Sequence, residues 1–281
     1  MPEAIGIDIG GGSWAVARAN VSTGGEIAHI ACSCASFEHE IEVPAEAVVM
    51  IDSPIGFISN AVAKETPKGL SGDRPADIGA RKWCLSGSSV FHPPTEEQFA
   101  SALMEHERAK TAKAPRVFAN VTPGGMSKQA LELVPAMDSA RKLKARFASQ
   151  VFESHPEVVF TALAVGKVPA KKTSLFGALV RAGVLAERLA RDVLTLVLDM
   201  ESKEKCAADN WLDALSMVVV AADWAMGQRK LLKSRDGHAH AWMGETDCLI
   251  ALPWTELAGL PEGKLSREQA LRWIAPRNRG P

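Results

Sequence analysis

Three apolar runs open the chain, residues 4–10, 13–20 and 26–32, and only glycine-bearing turns separate them, Gly10-Gly11-Gly12 and then Gly24-Gly25. Runs this short, rich in small and β-branched residues and punctuated by glycine, read as consecutive strands of a β-meander. A fourth run, EAVVMID at 46–52, also reads as a strand. Helical spacing follows at 95–113, opened by Thr95, and at 127–147, opened by Ser127. VFESHPEVVFTAL at 151–163 switches from strand to helix at Pro156, because proline fits a first helical turn and breaks what precedes it. The longest helical patterns are 173–200 and 205–228, and TDCLIALPW at 246–254 reads as a late strand before a short helix at 266–274. This succession predicts an α/β fold. The stretch 53–94, with SPIGF, GDRPADIGAR and SVFHPP, is too long for an idle loop. With the two helices after it, it is expected to form a cap inserted at about 53–147 in a single domain over 1–281.

The first strand carries an anomaly. Asp8 sits among Ile5, Ile7 and Ile9, where a strand buried on both faces would be continuously apolar, so its carboxylate has to be paired, metal-bound or placed at a sheet end. Other acids stand at comparable points: Asp52 ends the fourth strand, Glu153 and Glu157 flank the strand-to-helix switch, and Asp209 and Asp213 lie one turn apart on a late helix. Like charges gathered in one place need a cation or a shared proton. Mg²⁺ or Mn²⁺ suits carboxylate oxygen, and two such ions about 4 Å apart clamp the attacking and leaving oxygens of an in-line phosphoryl displacement. Taken singly, Asp8 could instead accept hydrogen bonds from the glycine turn, and Asp213 could be an ordinary helix-surface acid.

The ordered set GIDIGGGSWAVA, VMIDSPIG, DRPADIGAR, SSVFHPP, GGMSKQA, ESHPEVVFTAL, KKTSLFGALVR and DNWLDAL resembles the predicted RNase H-like nuclease family catalogued as domain of unknown function 429, from about residue 4 to 226. The resemblance implies an RNase H-like fold, a mixed sheet of five core strands flanked by helices with the helical insertion after strand four. It implies a divalent-metal-dependent nuclease whose catalytic acids fall on Asp8, Asp52, Glu153 and Asp213, with Asp209 a further metal ligand. The family commonly has an Asp-Asp pair on the late helix, where this chain has Asp209 followed by Asn210.

Substrate contacts are expected from five further residues. Arg74 and Arg81, spaced around Asp77, suit bidentate phosphate recognition or else a structural ion pair. His155 could polarise a substrate or belong to a helix cap, and Lys171 and Lys172 could meet a phosphate backbone or lie in a solvated loop. The run RKLKAR at 141–146 is a solvated helix face or a local basic patch, and Trp14, Trp83, Trp211 and Trp224 are core residues or stacking platforms. Any nucleic-acid contact has to be local, because the formal net charge is −1.

With 281 residues and 47% hydrophobic side chains the chain affords a large core and needs no disulfide staples. The five scattered cysteines therefore read as reduced thiols, Cys32 and Cys34 as small apolar fillers, in a cytoplasmic protein with no membrane partner. Two other classes compete with the nuclease reading. One is an ATP-binding phosphotransferase of the actin and sugar-kinase type, whose first strand also runs into an Asp-x-Gly turn; it needs a second copy of the core, for which the chain has little room. The other is a non-catalytic binding module, which does not account for the cost of crowding carboxylates.

Overall fold

The computed structural model describes residues 1–10, 12–37, 39–64, 72–84, 90, 92–112, 126–168, 170–204, 206–228, 230–231, 250–252 and 265–274. The described strands are β1 (Glu3–Gly10), β2 (Ser13–Val21), β3 (Ile27–Ser36), β4 (Val48–Ile51), β5 (Val151–Ser154), β6 (Lys230–Leu231) and β7 (Ile250–Leu252), and all join one sheet in the order β3-β2-β1-β4-β5-β7-β6. The helices are α1 (Asn60–Lys64), α2 (Pro75–Trp83), α3 (Glu96–Ala112), α4 (Lys128–Glu132), α5 (Val134–Arg146), α6 (Pro156–Leu163), α7 (Leu175–Leu189), α8 (Val193–Lys203), α9 (Ala208–Ala225) and α10 (Arg267–Ile274).

The expected meander is β1-β2-β3: β1 runs antiparallel to β2 with Glu3 opposite Asn20 and Gly10 opposite Ser13, and β2 runs antiparallel to β3. β4 then lies parallel to β1, with Ile7 opposite Ile51, and β5 parallel to β4, with Ile51 opposite Glu153. The mixed five-strand sheet is thus present, ordered 3-2-1-4-5, with helices α1 to α5 between β4 and β5. The short strands β7 and β6 extend it; the rest of 246–254 lies outside the described residues.

Strand alternation sends side chains to two cores. Ala4, Met50, Phe152 and Phe160 belong to the one filled by α9, which is buried all round from Trp211 to Trp224. Ile5, Ile7, Val49, Ile51 and Val151 form the other, with Ala136 and Ala140 of α5. Trp14, Trp211 and Trp224 are core residues, and the side chain of Trp83 lies outside the described residues.

Several element boundaries differ from the sequence expectation. The pattern at 127–147 divides into α4 and α5 at Leu133, ahead of Pro135, whose ring and missing N–H rule out an unbroken helix. The pattern at 173–200 divides into α7 and α8 at Ala190, which takes the left-handed conformation at φ 48°. In the glycine- and proline-rich stretch, α2 starts at Pro75, and Asp77 accepts from the Arg74 backbone N–H at 2.8 Å. Cys34, read as a free filler, is disulfide-bonded to Cys206, with Cα atoms 6.7 Å apart. Cys32 and Cys84 are free thiols, and Cys248 lies outside the described residues.

Candidate active site

The parallel strands β1 and β4 end side by side, and their register sets two acids together. The Asp52 backbone N–H donates to Ile7 O at 2.9 Å, which carries the pairing one step past β4 and puts Asp52 level with Asp8. Asp8 follows Ala4 and Gly6 on the face covered by α9. Helix α9 brings Asp213 to the same place, because Gly6 lets the two backbones meet: a Cβ there would lie 2.0 Å from Ala214 O and 2.6 Å from Val218 N. Asp213 immediately precedes that contact. Asp8 is 3% exposed and Asp213 1%.

Burial raises the pKa of Asp8 well above the ordinary carboxylate range, and Asp213 and Asp52 raise it further. Burial likewise lifts Asp213, to about 6, although Lys172 opposes the shift. Lys172 Nζ lies 2.5 Å from Asp213 Oδ2 and 3.8 Å from Asp209 Oδ2. Burial works against its charge, but Asp213, Asp8 and Asp52 outweigh that and hold the ammonium above the usual lysine range. The neutralisation is incomplete: Asp8, Asp52 and Asp213 set three carboxylates against one ammonium. Asp8 Oδ2 and Asp213 Oδ1 are buried with no hydrogen-bond partner. The hydroxyl of Ser53, next to Asp52, and Nδ1 of His155, at the end of β5, are buried and unpartnered as well.

Glu153 does not join this group. β5 turns Phe152 toward α9, where its ring lies 4.7 Å from that of Trp224, so Val151 and Glu153 face the opposite side of the sheet. There Arg74, 1% exposed, donates through Nη1 to Glu153 Oε2 at 2.7 Å and through Nη2 to Glu153 Oε1. The Ile55 N–H adds a bond to Oε2 at 3.1 Å. Burial raises the Glu153 pKa while Arg74 works against it. The remaining Arg74 donors go to Asp77 Oδ2 at 2.9 Å, Asp77 Oδ1 at 2.7 Å and Gly56 O at 3.0 Å. All five guanidinium N–H groups are used, leaving none for a phosphate. Arg74 thus takes the structural role, tying the loop after β4 and the start of α2 to the end of β5.

Arg81 is also tied up: Nη2 donates to the buried Asp73 at 2.7 Å and Nε to Val90 O at 3.1 Å, while His92 Nδ1 meets Asp73 Oδ1 at 2.7 Å. His155 occupies the N-cap of α6 but its side chain makes no cap bond. Lys171 is exposed, while Lys172 faces the acids. The RKLKAR charges are spent locally: Arg141 on Glu96 at 2.9 Å, Lys142 on Asp138 at 2.6 Å and Arg146 on Glu40 at 2.6 Å. Burial pushes the Cys84 thiol up to about 12, so it is no nucleophile at neutral pH.

Sequence reasoning missed Arg181, which is buried and pairs with Glu157 through Nη2 at 2.7 and 2.8 Å. The signal was available: an arginine on the apolar face shared by Val180, Val184 and Leu185 has to find an acid. The pairing of Lys172 with Asp213 carried no such local sign.

Residues 6–236 match the family described as protein of unknown function (DUF429). The chain belongs to that family. The match spans β1 to the region of β6 and so contains every acid of the cluster. No curated protein and no solved structure matches the chain.

For a family whose description assigns no activity, the donor set has to speak for itself. Asp8, Asp52 and Asp213 offer carboxylate oxygens of the kind hard divalent ions take, with Asp209 at the rim. The unpartnered oxygens of Asp8 and Asp213 fit such an ion. Among the described residues no three His, Cys, Asp or Glu side chains converge as a preformed cage. Lys172 draws Asp213 instead. Among the described residues no helix is long and apolar enough to cross a membrane.

Proposed function

We propose that this protein has an RNase H-like fold and is a divalent-metal-dependent phosphodiester hydrolase acting on nucleic acid, using Mg²⁺ or Mn²⁺. The fold reading is supported by the sheet order 3-2-1-4-5, with an antiparallel meander followed by two parallel strands, and by acids on the first strand, just past the fourth and on a late helix. The observation that carries the functional reading is the pair of buried, unpartnered oxygens, Asp8 Oδ2 and Asp213 Oδ1, at one sheet end beside Asp52.

Asp8, Asp52 and Asp213 would hold the metal, with Asp209 at its edge. The bound metal supplies a water of lowered pKa and charge stabilisation at phosphorus. Gly6 sets the spacing of the ligands by fixing α9 against β1, and α9 shields one side of the site from solvent. Glu153, which the resemblance placed among the catalytic acids, has no part in this proposal because Arg74 engages both of its oxygens. The phosphotransferase alternative needs a second copy of the core, whereas the described strands all belong to one sheet.

Titration calorimetry of the chelator-treated protein with Mn²⁺, beside Asp8→Asn and Asp213→Asn, tests the reading. Saturable binding that both substitutions abolish is expected, followed by Mn²⁺-dependent cleavage in a screen of DNA and RNA substrates. Wild-type protein that binds no Mn²⁺, with or without an oligonucleotide, would refute it.

A further inference from the structure

The residue that partly neutralises the acids stands on a pinned backbone but carries a movable head. Lys172 precedes α7, whose N-cap Ser174 accepts from the Gly177 N–H at 3.1 Å and donates its hydroxyl to Lys171 O at 2.7 Å. A Cβ on Gly177 would stand 2.1 Å from Lys171 O, so the turn and the first helical turn touch backbone to backbone. Arg181 Nη1 donates to Ala170 O at 3.2 Å from the other side. The Lys172 side chain is nevertheless 37% exposed, against 1% for Asp213. Part of the side chain thus already reaches solvent, and rotation about side-chain bonds alone takes the ammonium off the acid. Asp213, on a fully packed helix, has no comparable freedom.

The lysine is also an incomplete match to what surrounds it. Its ammonium contacts Asp213 Oδ2 and approaches Asp209, yet Asp213 Oδ1 and Asp8 Oδ2 stay without a partner in the same buried space. One monovalent group satisfies one oxygen well and leaves the others. Asp8, Asp52 and Asp213 would be served together by a divalent ion, which the Lys172 ammonium, 2.5 Å from the second oxygen of Asp213, would repel as a like charge.

We propose that Lys172 is the resident counter-cation of the acid site: it holds the metal-free form together, a divalent ion binds by displacing it from Asp213, and the released ammonium turns to the open side to meet a substrate phosphate. This rests on the metal-site reading above. It makes the wild-type metal affinity a difference, metal binding less the loss of the Lys172–Asp213 pair. The position of the Lys172 ammonium thereby becomes coupled to metal loading.

The test is Mn²⁺ calorimetry on the full, chelator-treated chain, comparing wild type with Lys172→Met. The variant is expected to bind at least about tenfold more tightly, because no ion pair has to be broken. Its melting temperature without metal should fall below that of wild type, and saturating Mn²⁺ should raise it by more. Binding by both proteins with equal affinity, or weaker binding by the variant, overturns the counter-cation role and leaves the metal site standing. Binding by neither overturns both. If Lys172→Met does not fold, wild-type protein carrying ¹³C-methylated lysines decides the matter in a Mg²⁺ titration, with the resonance assigned from Lys172→Arg. The Lys172 signal should move to the position of exposed lysines as Mg²⁺ loads; a signal unmoved at saturation refutes displacement.

Discussion

Gly6 and Ala214 meet so closely that a Cβ on the glycine would lie 2.0 Å from the alanine carbonyl oxygen. This contact sets the gap between β1 and α9, and with it the distance from Asp8 to Asp213. The Gly6→Ala methyl would meet no flexible side-chain end, only the backbone of Ala214 and Val218 and the Cβ of Met217. The substitution is expected to cost at least about 1–3 kcal/mol, the range for an overpacked core, and to weaken Mn²⁺ binding about tenfold or more by moving Asp213 outward. Urea denaturation and calorimetry measure the two effects, and wild-type Mn²⁺ affinity in Gly6→Ala would show that the contact does not position the site.

The second acid cluster should behave as structure. Arg74→Met leaves Glu153 and Asp77 buried without their cation, and breaking one partner of a buried network costs about 3–5 kcal/mol. Glu153→Gln keeps the shape but loses the charge. Because Glu153 faces away from α9, its Mn²⁺ affinity should stay within about threefold of wild type even as stability falls, as expected for sites that share no partner. A Glu153→Gln protein that folds and binds no Mn²⁺ would return Glu153 to the metal site.

The Cys34–Cys206 bond ties β3 to the residues just before α9 and closes a sequence separation of 172. Disulfides typically contribute about 2–4 kcal/mol, and more for long loops in the chain-entropy account, in which the bond restricts the unfolded chain. Thermal unfolding with and without dithiothreitol should show a lower midpoint for the reduced protein. A Cys34→Ser/Cys206→Ser double variant should unfold at that lower midpoint and ignore the reductant. A midpoint that dithiothreitol leaves unchanged in wild type would argue that the bond contributes nothing.

Which parts of this architecture were legible beforehand depended on how local the signal was. The meander and Asp8 could be read because alternation, glycine turns and one misplaced acid all fall within a few residues. Ala190, where one helical pattern becomes two, has no glycine to announce its left-handed backbone, and β6 and β7, two and three residues long, carry too little periodicity. Glu153 and Asp52 each end a parallel strand, so both read as site acids. What separates them is Arg74, 79 positions from Glu153 in sequence, and the odd or even placement of each acid on its strand. The pairing of Lys172 with Asp213 spans 41 positions, and that of Cys34 with Cys206 spans 172; only the folded sheet and α9 create them.

The acid site also predicts a sign for pH dependence. Asp8 and Asp213 have raised pKa values in the folded protein, Asp213 at about 6, so the native state holds protons that the unfolded chain releases near the ordinary value of about 4. Native protein then binds more protons than unfolded protein across this window. The stability these groups contribute is fully present below about pH 4 and is lost as the pH rises through their folded values. Asp8→Asn removes one buried carboxylate without changing the shape of the side chain. In chelator the variant should therefore be the more stable protein at pH 8, and the gap should close as the pH is lowered toward about 4. Mn²⁺ should reverse the order at pH 8, because it stabilises only the protein that binds it. Urea titrations of both proteins at several pH values, with EDTA and with Mn²⁺, give the four curves. An Asp8→Asn protein less stable than wild type in EDTA at pH 8 would mean that the carboxylate is already satisfied by the fold, and the case for a missing cation would go with it.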